Sequence, residues 1–97
     1  MDSLNFEVVC RVSVANVYND KIAKSENERL DPEEVKFVWM GKALQNNKAT
    51  AITGRKDELY FELTYNGDKD ELYIDVYTKM INALVTHVAE DSVEVLQ

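Results

Sequence analysis

Tyr60, Glu62, Tyr73, Asp75 and Tyr77 fall at alternate positions on the two sides of an Asn66-Gly67 pair. Alternation around Asn-Gly is the strongest short-range signal for a β-hairpin. Its period of two gathers these five side chains on one face of the ribbon. Tyrosine buries a large area while its hydroxyl stays paired, and carboxylates select a cationic partner. The chemistry such a face offers is recognition. Asp68, Asp70 and Glu71 cluster at the hairpin tip. One or two carboxylates of this kind hold Mg²⁺ in nucleases and phosphotransferases, and simple hydration of a turn is the competing reading. A calcium loop starting at Asp68 fails, because Lys79 stands where the bidentate acid belongs. Cys10 and His87 are the only cysteine and histidine. They are too few for a structural zinc site, and no pattern joins them as a catalytic pair. Cys10 reads as a small core hydrophobe and His87 as a solvated residue. No metal and no cofactor is expected.

Gly41, Gly54 and Gly67 are far apart and form no phosphate cradle. Lys36, Lys42, Lys48, Arg55 and Lys56 could form a basic stripe with Trp39 as a stacking platform. The net charge of −7 opposes specific nucleic-acid binding, since phosphate contacts supply most of that affinity. Charge is segregated: residues 35–56 hold five bases and no acid, and residues 57–75 hold seven acids and one base. Cross-strand pairing within one sheet accounts for this, as does a surface that steers a charged partner.

Around these residues the chain reads as one domain over 1–97, with 45% hydrophobic and 30% charged residues. No apolar run approaches the ~18 residues of a membrane span. The N-terminus lacks a secretory pattern, and a lone cysteine suits a reducing cytoplasm. Ser3 is a cap for a helix from Leu4 to about Lys24, with Phe6, Cys10, Val14, Val17 and Tyr18 at helical spacing. Its valines argue for a strand, but its unbroken length favours the helix. Asp31-Pro32-Glu33-Glu34 is a helix start that lasts one turn. A strand follows over Val35–Met40, with Val35, Phe37 and Trp39 on one face. Gln45–Asn47 turn the chain into a strand over Lys48–Thr53, and Gly54–Asp57 turn it again. The hairpin at 58–77 completes four strands, with Gly67 expected at positive φ. Met80, Ile81, Leu84, Val85 and Val88 make the stripe of an amphipathic helix from Thr78 or Lys79 to about Glu90. The fold class is α+β: an N-terminal helix, a four-stranded antiparallel sheet of two hairpins, and a C-terminal helix. Whether a helix covers the tyrosine face stays open at this level.

Trp39, Lys42, Leu44-Gln45-Asn46 and Lys48-Ala49 form one half of a further pattern. Tyr60, Glu62, Thr64 to Lys69, Glu71, Tyr73, Asp75, Tyr77, Lys79 and Asn82 form the other. Over residues 35–82, with a looser echo in Phe6, Cys10, Tyr18 and Asn19, the chain resembles a family of small proteins from phages and prophages of Firmicute bacteria. That family is catalogued as a domain of unknown function. The resemblance implies a phage or prophage origin, residence in the bacterial host cytoplasm and no assigned enzymatic activity. The resulting expectation is a small acidic accessory protein that is not an enzyme and acts by binding another protein. Tyr60, Glu62, Tyr73, Asp75, Tyr77, Asp68 and Glu71 are its binding residues. A host nucleic-acid-processing enzyme is the expected kind of partner, as for anti-CRISPR inhibitors of defence nucleases, and a homodimer is a further expectation. Two alternatives are an accessory to phage DNA replication or recombination and a Mg²⁺-dependent enzyme built on the hairpin carboxylates.

Overall fold

A computed structural model describes residues 1–80 and 82–86, together with the backbone of 94–96. Helix α1 (Ser3–Lys21) is capped by Asp2, whose carboxylate accepts from the Asn5 backbone N–H at 2.9 Å. The cap is thus one residue earlier than Ser3, and the acid also favours the positive end of the helix. Phe6, Cys10, Val14 and Tyr18 repeat every four residues and form the buried stripe, joined by Ala15.

Four antiparallel strands follow in sequential order: β1 (Lys36–Ala43), β2 (Asn46–Ile52), β3 (Tyr60–Asn66) and β4 (Glu71–Tyr77). One sheet face carries Ala49, Ala51, Phe61, Leu63 and Tyr65, all buried in the same cluster as the helix stripe. The two alanines are fully buried on β2, the strand that α1 contacts. Small side chains there let the helix axis come close to the sheet.

One polar clamp ties the irregular segment between α1 and β1 to the helix, and a capped turn orders it locally. Asn19 holds Leu30 through both its carboxamide groups, accepting from the Leu30 N–H at 2.6 Å and donating to its carbonyl at 3.0 Å. Asp31 opens a single 3-10 turn, Pro32–Glu34, with reciprocal capping by Glu34. Leu30 and Val35 flank the turn and are buried.

Three departures from the expected elements have physical causes. A β-bulge between Phe37 and Trp39 shifts the register of β1. Phe37 therefore packs toward the core, while Trp39 pairs with Thr50 on the opposite face and does not share the face of Phe37. The β3–β4 connection is a four-residue loop, Gly67–Asp70, in which Asp70 takes positive φ (51°) and Gly67 does not. Gly67 is needed there for another reason: a β-carbon would lie 2.1 Å from the Gln45 carbonyl oxygen of the neighbouring turn.

The third departure is at the C-terminus. Where a helix was expected over 78–90, Leu84–Thr86 is a short strand, β5, paired antiparallel with β6 (Glu94–Leu96). Val85 and Thr86 are β-branched and suit extended backbone, and among the described residues of the expected stripe Met80 is 97% and Leu84 61% exposed. Ile81 and residues 87–93, with Val88 and His87, lie outside the described residues.

Candidate functional site

The sheet face opposite α1 has no helix over it among the described residues. Its side chains run in cross-strand rows fixed by the register. Lys36, Ile52, Tyr60 and Tyr77 make one row; Trp39, Thr50, Glu62 and Asp75 make the next; Gly41, Lys48, Thr64 and Tyr73 make the third. Tyr60, Tyr73, Tyr77 and Trp39 are 40%, 57%, 50% and 55% exposed. Tyr60 and Tyr77 meet edge to face, with ring centroids 6.5 Å apart.

The middle row contains an electrostatic conflict. Glu62 and Asp75 are directly opposite one another on β3 and β4. Like charges in that position cost stability. Lys48 reaches Glu62 at 3.4 Å from the third row, but Asp75 has no ion pair among the described residues. Two carboxylates thus stand side by side, with the Tyr60–Tyr77 pair on one flank and Tyr73 on the other. A guanidinium or ammonium group entering there would meet carboxylate oxygens and aromatic faces together.

Of the binding residues expected from the sequence, Tyr60, Glu62, Tyr73, Asp75 and Tyr77 come together on this face. Glu71 continues the β4 row beyond Tyr73, opposite Asn66. Asp68 is apart, in the tip loop, where its backbone N–H donates to the Asn66 side chain at 3.1 Å. Asp70 accepts the Tyr65 hydroxyl at 2.7 Å, which raises the Tyr65 pKa. Of the tip acids, Asp70 therefore takes part in folding the loop through its carboxylate. Among the described residues no three His, Cys, Asp or Glu side chains are grouped to hold a metal ion.

The basic stripe is broken up. Lys48 is on the open face, whereas Lys42 pairs with Asn47 in a row on the helix side. Arg55 is a structural hub. Its guanidinium donates to the carbonyls of Glu28 and Arg29, pairs with Glu34 at 3.0 Å and lies over the Tyr18 ring. The Asp31 backbone N–H, and after it Arg55, holds the Glu34 carboxyl below its usual range. Cys10 is fully buried, and burial pushes its thiol up to about 12, which removes it as a nucleophile near neutral pH.

Trp39 is the residue of this face that sequence reading misplaced. Its indole lies over Gly41, where a β-carbon would approach the ring to 2.7 Å. An aromatic laid over a strand glycine restores the cover that the glycine lacks. Trp39, Lys48 and Thr64 line a shallow cavity of about 410 Å³ there. The Trp-x-Gly spacing was the available signal.

A model of the family of unknown function DUF6275 matches residues 7–87. The chain belongs to that family. The match covers α1 from Glu7 onward, all four strands of the sheet and every residue of the open face. No curated protein and no solved structure matches the chain. No helix among the described residues is long and apolar enough to cross a membrane.

Proposed function

We propose that this DUF6275 member is a non-enzymatic binding module whose open sheet face captures a basic surface of another protein. The carrying observation is the opposition of Glu62 and Asp75 among exposed tyrosines. Lys48 offsets only the Glu62 side of this like-charge pair, which leaves Asp75 for a cation from outside. The surrounding rings supply the large, rigid aromatic area on which interface energies concentrate.

The finer reading is a phage or prophage accessory protein acting in the host cytoplasm on a defence nuclease. Its support is the resemblance stated above together with charge. Nucleic-acid channels are basic, and an acidic, aromatic sheet face is suited to occupy one. The link to anti-CRISPR inhibitors is an analogy of charge and origin.

Affinity capture from host cytosol tests the reading. The parent chain is expected to retain a basic protein that Tyr73→Ala loses and that elutes as salt rises. Retention of the same protein by Tyr73→Ala and by Asp75→Lys, with unchanged salt dependence, would overturn it.

A further inference from the structure

The two edges of the sheet differ in how they are protected. β1 carries the devices that keep an edge from pairing with another chain: a bulge after Phe37, and Lys36 and Lys42 along the strand. β4 carries none of them. Its seven residues contain no lysine, proline or glycine, and its register with β3 runs unbroken from Glu71 to Tyr77. Among the described residues β4 pairs with β3 alone, which leaves its outer row of backbone groups without a strand partner. The core-side row of β4 is also incompletely covered: Leu72 and Ile74 are half-buried and Val76 is 39% exposed.

The geometry points to a second copy of this chain as the occupant of the edge, through antiparallel β4–β4 pairing about a two-fold axis at Ile74. This register pairs all seven residues of the strand. Ile74 meets Ile74, Leu72 meets Val76, Tyr73 meets Asp75 and Glu71 meets Tyr77. The apolar row is then continuous across the axis, and no two acids are opposed. Moving the axis to Tyr73 puts Glu71 opposite Asp75, and moving it to Asp75 puts Asp75 opposite itself. Either shift also pairs fewer residues. The two carboxylates of β4 therefore select one register by excluding its neighbours, as charges do in strand pairing generally. The result is an eight-stranded sheet whose open faces are contiguous. It depends on the edge and its register, not on the capture of a basic protein.

Sedimentation equilibrium of the full chain at about 0.1 mM decides the matter. The parent is expected at twice the mass of one chain, with association stronger at about 0.15 M salt than at 0.01 M, because each chain carries a net charge of −7. Tyr73→Glu places an acid opposite Asp75 twice and should weaken association about tenfold or more. Tyr73→Glu combined with Asp75→Lys should restore it. Both positions are exposed, so circular dichroism and melting verify that each variant is folded. A parent of single-chain mass, as when residues of its own C-terminal segment cover β4, overturns the proposal. So does a parent dimer that Tyr73→Glu leaves as tight as before.

Discussion

Glu62 and Asp75 face each other across β3 and β4, and under the proposed capture of a basic surface binding and folding place opposed requirements on this pair. Asp75→Asn removes the like-charge opposition and is expected to raise stability by a few tenths to about 1 kcal/mol, seen as a higher melting temperature. The same variant is expected to bind the basic partner less tightly. A lower melting temperature for Asp75→Asn would show that the carboxylate is paired in the isolated protein. Gly67 illustrates how a correct residue can be chosen for the wrong reason. The Asn66-Gly67 pair marks a turn, but its Gly is required by the Gln45 carbonyl and not by positive φ. Gly67→Val should lower stability by more than ~1 kcal/mol in chemical denaturation, whereas Asp70→Asn, which tolerates φ 51° and keeps an oxygen to accept the Tyr65 hydroxyl, should be nearly neutral.

At the scale of elements, α1 was legible because Phe6, Cys10, Val14 and Tyr18 keep a four-residue repeat over an unbroken stretch too long for a strand. The β3–β4 hairpin was legible because strict alternation separates Phe61, Leu63 and Tyr65 from Tyr60, Glu62 and Thr64. The tyrosine face was therefore readable as a face. The bulge at Val38 was not, because one extra residue inverts every later side chain of β1 without altering the local propensities. This is how Trp39 came to be assigned to the wrong face. The stripe from Met80 to Val88 has helical spacing, yet Val85 and Thr86 lie in a strand pair instead, where partner strand and β-branching prevail over period. The close packing of α1 over β2 gives an element-scale test. Ala51→Leu, at a position with no exposure, should destabilise the fold by about 1–3 kcal/mol through overpacking. Unchanged stability would mean that the helix is not seated on Ala49 and Ala51.

For the molecule as a whole, α1 closes one side of the sheet, and no helix among the described residues covers the other. The core contains three groups that resist ionisation, Tyr65 through its bond to Asp70 and Tyr18 and Cys10 first through burial. Burial, and then the hydrogen bond to Asp57, raises the Tyr18 pKa above its ordinary 10.0, and burial lifts Cys10 from 9.0 to about 12. All three folded values exceed the unfolded ones, so their contribution is complete below the unfolded pKa and is lost as pH rises through the folded value. The melting temperature should therefore begin to fall above about pH 9, and Tyr18→Phe should make that fall shallower. An equally steep alkaline loss in Tyr18→Phe would assign it elsewhere.

The central claim is that the face opposite α1 meets a protein partner, and site-specific photo-crosslinking in cells that express the chain tests it most directly. Tyr60 is the position to replace with a photoreactive phenylalanine, because it is on β3, inside the sheet, and away from the β4 edge. Val8, 56% exposed on α1, is the control on the other side of the molecule. The expected result is one discrete adduct with a basic protein from position 60 and none from position 8. The same adduct from position 8 but not from position 60 would put the interface on the helix and contradict the account.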